Sequence, residues 1–138
     1  MSCSGPQHIE EIKTYSSIVP CVNQVELHPW CQQRPIVEYC KANNILVEAY
    51  CPLRRGDGLN SPVVTAIAKA KGATPAQVIL RWSLQKGFVP LPKSDNPERI
   101  RENAEVFGFE LGMHEMERLD QLDQGLMGAI VPQAVDCP

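Results

Sequence analysis

The sequence lacks the features of a membrane-spanning, nucleic-acid-binding or secreted protein. Its apolar residues never form a run that approaches the ~20 residues needed to cross a bilayer. The net charge of −3 offers no basic surface for nucleic acid or anionic lipid. Residues 1–6 contain no basic stretch followed by an apolar segment, as a secretory signal would. We therefore predict a cytoplasmic protein with no membrane and no nucleic-acid partner.

Zinc-binding and disulfide patterns are also missing, although the chain has 6 cysteines. No pair is spaced as C-x-x-C, and the 3 histidines have no metal-ligand spacing. The cysteines fall within apolar strand and helix patterns, where cysteine behaves as a small hydrophobic residue. We predict reduced thiols and no metal site. A disulfide framework is the alternative, although a chain of this size can bury a core without one.

Helix and strand patterns alternate along the chain, with no repeat or linker to divide it. Strand patterns cover residues 21–27, 45–50 and 88–92. Proline favours the first helical position, and the predicted helices begin near Pro6, Pro35, Pro62, Pro75, Pro97 and His114, the last two running to about Phe107 and Leu122. This alternation predicts an α/β fold with a parallel sheet, organised as a single domain over residues 1–138.

Several helix ends carry recognisable capping residues. Ser61 and Thr74 each precede a helix-opening proline and are predicted N-caps. Thr74 and Gln77 have the spacing of a capping box, in which each side chain binds the backbone N–H of the other residue. Gly72 and Asn43 are predicted to end the helices that precede them.

Two of the predicted strands carry polar side chains, which a buried parallel strand would not need. By two-residue alternation, Gln24, Glu26 and His28 share one face of the first strand. Glu48 and Tyr50 share one face of the second strand. Because α/β barrels place their sites at the carboxyl ends of strands, this pattern predicts a functional site there. A glycosidase that uses Glu26 and Glu48 as acid and nucleophile is the rival interpretation.

The three strand patterns are too few for a closed (β/α)8 barrel, which needs eight strands and ~250 residues. We therefore expect part of a parallel (β/α)8 TIM barrel, incomplete in this chain. Such a part exposes strand edges and the apolar interior of the barrel. Self-association of the chain through these surfaces is an expectation that follows.

Residues 93–103 combine a helix start with basic side chains. Asn96 and Pro97 are typical helix-opening residues, and Lys93 and Arg99 flank them. A helix N-terminus presents free backbone N–H groups and the positive end of the helix dipole. Lysine adds a point charge and arginine adds bidentate recognition. The segment therefore predicts a phosphate site, with an ordinary solvated helix start as the alternative.

Three segments together resemble the aldo-keto reductase family. They are V-N-Q-V-E-L-H-P at 22–29, A-Y-C-P-L at 49–53 and P-K-S-D-N-P-E-R-I-R-E-N at 92–103. They occur in the family's order and at similar separations, and the third is long and specific. The resemblance implies that this chain is the C-terminal half of an NADP-dependent oxidoreductase domain with a (β/α)8 fold. It also implies an aldehyde or ketone reductase that acts on a small carbonyl compound.

The first two motifs imply contacts with the nicotinamide half of NADP(H). By motif match, Gln24 and Ser2 bind the nicotinamide carboxamide, and Tyr50 stacks on the nicotinamide ring. Pro52 and Leu53 match loop residues that run beside the cofactor. This sequence departs from the family at two positions. Cys3 stands where the family has asparagine, and Cys51 stands where serine is common.

The third motif implies recognition of the adenosine half. Lys93, Ser94 and Arg99 match the residues that hold the 2′-phosphate of the adenosine ribose, and Glu102 and Asn103 match residues that meet the adenine. The resemblance therefore implies a preference for NADPH over NADH.

The family's catalytic tyrosine, lysine, aspartate and histidine have no match in this sequence. In the family they lie on earlier strands and loops than the three motifs. Lys13, Tyr15 and Tyr39 fall in helix patterns, and His28 belongs to a different motif. General acid catalysis alone contributes ~10²–10⁴-fold in rate. We expect no catalytic residue and negligible reductase activity in this chain alone; a non-catalytic half-barrel that binds NADP(H) or a partner is the alternative.

Overall fold

A computed structural model describes residues 3–135 of the chain. Its strands are β1 (Val22–Glu26), β2 (Leu46–Tyr50) and β3 (Val89–Pro90). The α-helices of these residues are α1 (Pro6–Tyr15), α2 (Arg34–Ala42), α3 (Pro62–Lys71), α4 (Pro75–Gln85), α5 (Pro97–Ala104) and α6 (Met113–Asp120). Short 3₁₀ turns cover Arg54–Gly56, Gly125–Gly128 and Pro132–Ala134. The predicted alternation of helices and strands is confirmed.

The three strands form one parallel sheet in the order β1-β2-β3. α2 connects β1 to β2, while α3 and α4 connect β2 to β3. The register pairs Gln24 with Glu48 and Glu26 with Tyr50, so the polar residues of the two strands lie side by side. The backbone N–H of Cys3 donates to the Gln24 carbonyl at 2.8 Å, so the residues before α1 run beside β1.

β3 is shorter than the predicted strand over 88–92. Only Val89 and Pro90 pair with β2, and the N–H of Leu91 then donates to the Ala49 carbonyl at 3.0 Å. Pro90 and Pro92 have no N–H, so the ladder cannot continue through them. The two helices that follow also end earlier than predicted, at Ala104 and Asp120.

The core lies between the sheet and the helices. Trp82 on α4 is fully buried at its centre, and Phe88 packs against its ring edge-on at 6.0 Å between centroids. The indole N–H of Trp82 donates to Asp120 on α6 at 2.7 Å, so its one polar atom is satisfied. Leu46 is 45% exposed and Val89 is 37% exposed, which leaves apolar strand residues uncovered.

The two predicted N-caps differ in the structure. The hydroxyl of Thr74 accepts from the Gln77 N–H at 3.3 Å, and the Gln77 side chain accepts from the Thr74 N–H at 2.9 Å, which confirms the capping box. Ser61 occupies the N-cap position of α3, but its side chain makes no capping hydrogen bond, so that prediction is wrong in its mechanism. Gly72 ends α3 with a left-handed φ of 62°.

The cysteines among residues 3–135 are free thiols. Cys31 and Cys40 are buried, and burial raises the pKa of the Cys31 thiol to about 12. Within the same part of the chain, no group of three metal-ligating side chains comes together, and no helix is long and apolar enough to cross a membrane. Cys137 lies outside the described residues.

The difference between the two N-caps yields a direct test. Thr74→Ala removes a cap and the hydroxyl that also donates to Glu102 at 2.5 Å, so we expect a loss of about 1–2 kcal/mol in the free energy of unfolding. Ser61→Ala removes no capping bond, so its effect should stay within about 0.5 kcal/mol. Urea unfolding of both variants measures the difference, and equal losses would contradict this assignment.

Candidate cofactor-binding site

A cleft of about 600 Å³ opens between the segment that follows β2 and the segment that follows β3. Both segments leave the same edge of the sheet, because the strands are parallel. The lining residues are Cys51, Pro52, Leu53, Arg55, Gly56, Leu59, Ala76, Leu91, Pro92, Lys93, Ser94, Arg99, Glu102 and Asn103. Every predicted site residue from Pro52 to Asn103 therefore lines this one cleft.

The cleft carries an excess of positive charge. Lys93 and Arg99 come from the segment that follows β3, and Arg55 comes from the segment that follows β2. Glu102 is the acidic residue among the lining residues, and its carboxylate accepts a hydrogen bond from Thr74. Arg55 was not selected from the sequence as a lining residue. Its position two residues after Leu53, which was selected, could have suggested it.

The start of α5 differs from the predicted phosphate site in one respect. The side chain of Asn96 accepts from the N–H groups of Glu98 at 2.8 Å and Arg99 at 3.2 Å. Pro97 has no N–H to offer. Together with the two bonds to Asn96, this leaves no free amide in the first turn of α5. The predicted free backbone donors are therefore wrong, and recognition of an anion there depends on side chains.

The side chains at this end of the cleft are mostly exposed. The Lys93 ammonium pairs with the Asp95 carboxylate, and both are well exposed, so the pair adds little stability and can separate. The Ser94 hydroxyl accepts from the Asn96 N–H at 3.1 Å. On the next turn of α5, the Glu102 carbonyl accepts from Gln77 at 3.1 Å, which joins the cleft wall to α4.

Gln24 and Tyr50 lie on the strands, outside the cleft lining. The Gln24 amide donates to the Glu48 carboxylate at 2.9 Å, which fixes the direction of the Gln24 side chain. Tyr50 is half-buried, and burial raises the pKa of its phenol, so the ring stays neutral at physiological pH. Tyr50 directly precedes Cys51, the first lining residue, so the two regions are continuous. Ser2 lies outside the described residues.

The segment after β2 is held in an unusual backbone conformation. Cys51, Arg54 and Arg55 all have left-handed φ angles near 50°, which costs energy for residues with a side chain. A Cβ added at Gly58 would meet the ring of Trp30 at 2.4 Å, so only glycine allows this close approach. The Arg54 guanidinium lies 5.7 Å from the centroid of the same ring. Trp30 therefore supports this wall of the cleft from behind.

Glu26 is fully buried and hydrogen-bonded within the chain. Its carboxylate accepts from His28 Nε2 at 3.1 Å, from the Val131 N–H at 3.0 Å and from the Ile130 N–H. Burial lowers the pKa of His28, which keeps its imidazole neutral. A carboxylate enclosed in this way cannot reach a sugar, so the structure argues against the glycosidase interpretation. Sequence reasoning did not anticipate the contact with residues 130–131.

A lysine and a tyrosine do meet elsewhere, but on the helices rather than at the strand ends. Lys13 on α1 donates to the Tyr39 hydroxyl on α2 at 3.0 Å and to Asn43 at 3.0 Å. Glu10 also accepts from both side chains, and it is largely exposed. This cluster joins α1 to α2 and stands apart from the cleft.

Comparison with known proteins gives consistent matches. Residues 59–124 match the model of the Aldo/keto reductase family. An uncharacterized oxidoreductase of Schizosaccharomyces pombe is 45% identical over 121 residues, which cover 87% of this chain and 44% of the relative. Glyoxal reductase of Bacillus subtilis is 45% identical over 117 residues, covering 85% of this chain and 42% of the relative.

A solved structure matches over almost the whole chain. A variant of Gox0644 in complex with NADPH gives a TM-score of 0.90 at 40% identity, covering 96% of this chain and 49% of that one. The fold is thus one found in oxidoreductases. The chain belongs to the aldo-keto reductase family, as its three motifs predicted, and it spans somewhat less than half the length of the curated relatives it matches.

The buried His28 gives the protein a predictable pH response. Its pKa is lowered from 6.5 on folding, so the unfolded chain takes up a proton first as the pH falls. The contribution of His28 to the free energy of unfolding should therefore be fully present above about pH 6.5. It should be lost as the pH falls through the folded pKa, by at most ~1.4 kcal/mol per pH unit. Urea unfolding between pH 5 and pH 7.5 measures this slope.

His28→Gln is the matched control, because glutamine retains an N–H donor for Glu26 but does not titrate. Its slope between pH 5 and pH 7 should be smaller than that of the unmodified chain. Parallel curves for the two proteins would show that His28 does not contribute to the acid response.

Proposed function

We propose that this chain carries the NADP(H)-binding part of a carbonyl reductase. Its main support is that Arg55, from the segment after β2, lines the same cleft as Lys93 and Arg99, from the segment after β3. NADPH has two separated anionic groups, the pyrophosphate and the 2′-phosphate. A cleft with basic side chains on both walls is suited to such a ligand.

The end formed by α5 would hold the adenosine half. Arg99 can bind a phosphate with two parallel N–H donors, Lys93 adds charge and Ser94 adds a hydroxyl. Glu102 and Asn103 follow on the same helix and would meet the adenine. Because the first-turn amides of α5 are bound to Asn96, selectivity for NADPH over NADH is assigned to these side chains.

The strand end of the site would hold the nicotinamide half. Tyr50 would offer its neutral ring for stacking, and Gln24, oriented by Glu48, would bind the carboxamide. Ser2 would contribute a second hydrogen bond to the carboxamide, by motif match. Pro52 and Leu53 would run beside the cofactor between its two ends. Once bound, the cofactor supplies the hydride that reduces a carbonyl carbon.

The chain would not complete the reaction alone. Reduction of a carbonyl also needs a group that protonates the developing alkoxide. The family's tyrosine, lysine, aspartate and histidine for this step have no match in this sequence. We therefore assign no catalytic residue to this chain and regard it as a partial domain over residues 1–138, corresponding to the C-terminal half of a (β/α)8 barrel. The proposed location is the cytoplasm and the proposed substrate a small aldehyde or ketone, in keeping with relatives such as glyoxal reductase.

A non-catalytic role is the second candidate. Leu46 and Val89 are more exposed than residues of a parallel sheet covered on both faces would be. Such exposure favours association with a second copy or another chain that covers the sheet. In that case the chain would bind NADP(H) or a partner without turnover.

Titration of the 138-residue chain with NADPH and NADH tests the proposed function. We expect saturable NADPH binding by calorimetry and weaker NADH binding. Arg99→Ala should weaken NADPH binding about tenfold, or ~1.4 kcal/mol, because a partly exposed charge-assisted hydrogen bond is lost. It should leave NADH binding nearly unchanged, because NADH has no 2′-phosphate.

Arg101→Ala is the matched control, since Arg101 is an exposed arginine on the same helix that does not line the cleft. It should bind NADPH like the unmodified chain. A well-folded chain that binds neither nucleotide, or an equal loss in the two arginine variants, would refute the assignment of the phosphate site.

A further inference from the structure

The carboxylate of Glu26 joins two parts of the chain that are 104 residues apart. It is 0% exposed and lies at the end of β1. One oxygen accepts from His28 and from the Ile130 N–H, and the other accepts from the Val131 N–H. Burial of a carboxylate is unfavourable unless several donors replace its water, and these donors do so.

The position of Glu26 ties this contact to the cofactor site. Glu26 stands two residues after Gln24 on the same face of β1, and its partner in the strand register is Tyr50. Under the proposed function, both of these neighbours touch the nicotinamide half. Residues 130–131 are therefore held at the nicotinamide end of the site rather than at the phosphate end.

Other contacts hold the tail, defined here as residues 123–135, at its base and near its far end, where Val135 is buried. Asp123 accepts from Arg34 at 3.1 Å and from the Gln32 N–H at 3.3 Å. The Gln124 N–H donates to the Trp30 carbonyl at 2.9 Å. A Cβ at Gly128 would lie 1.8 Å from the same carbonyl oxygen, so the tail passes directly against Trp30 there. The contacts at the base end two residues before the amides that Glu26 binds.

We propose that Glu26 is a positioning residue that fixes residues 130–131 of the tail as a preordered wall at the nicotinamide end of the cofactor site. The inference about the nicotinamide rests on the proposed function. The attachment of the tail to Glu26 does not, and it can be measured without any ligand.

Hydrogen exchange tests the attachment. In the unmodified chain the amides of Ile130 and Val131 should be protected. Glu26→Gln keeps the shape and one acceptor oxygen but replaces the other by a donor, so at least one of the two amides should exchange about tenfold faster or more. Asp123→Asn, which weakens the base of the tail, is the matched control and should leave both amides protected. Unchanged exchange in Glu26→Gln, or equal acceleration in the control, would overturn the proposal.

Ligand binding tests the positioning role. Loss of a preordered wall should weaken binding of NADPH, which has a nicotinamide, by about three- to tenfold. Binding of adenosine 2′-monophosphate, which occupies only the phosphate end, should not change. Weakening of both ligands alike would indicate general destabilisation and overturn the proposal. If the unmodified chain binds no NADPH, the proposed function fails, while the exchange experiment still decides whether Glu26 holds the tail.

A second variant removes the tail instead of its anchor, in case Glu26→Gln does not fold. A chain that ends at Gly128 retains Glu26 and His28 but has no residues 130–131. It should show the same selective loss of NADPH affinity, with binding of adenosine 2′-monophosphate retained. Full NADPH affinity in this shortened chain would contradict the positioning role.

Discussion

The three strands run in the same direction, and this common direction determines where the cleft forms. Parallel strands end at one edge of the sheet, so the segments after β2 and β3 leave side by side and enclose the cleft between them. The register of β1 and β2 also sets Gln24 beside Glu48 and Glu26 beside Tyr50. One pairing pattern thus aligns a charged cleft at one end of the site with a buried polar cluster at the other.

The two ends of the site differ in how far their polar side chains are exposed to solvent. At the α5 end the charged side chains are largely exposed, and Lys93 and Asp95 form a pair that solvent screens. At the strand end, Glu26 and His28 are fully buried, and their hydrogen bonds leave little freedom. The two ends therefore differ in exposure, with charged side chains in solvent at one end and buried, hydrogen-bonded side chains at the other.

Local signals predicted the fold well, whereas contacts between distant residues could not be derived. The capping box of Thr74 and Gln77 depends on residues three apart, and it forms as predicted. Ser61 also precedes a helix-opening proline, but the residue three positions on is Val64 rather than glutamine, and the Ser61 side chain does not cap. The prediction of free amides at α5 failed because the Asn96 side chain accepts from the N–H groups of Glu98 and Arg99. The spacing of these residues does not decide whether the amides bind Asn96 or a phosphate. The contact between Glu26 and Ile130 joins residues 104 apart, so no local sequence pattern could predict it.

Amide chemical-shift mapping of the 138-residue chain during titration with NADPH would show whether the cleft and the strand ends form one cofactor site. We expect shifts to concentrate in residues 51–59 and 93–103, with further changes at Gln24 and Tyr50. Shifts confined to a second cavity, beside Cys31, Ile36 and Leu126, would show that NADPH binds elsewhere. That result, or a folded chain in which no amide responds to NADPH, would contradict the proposed site.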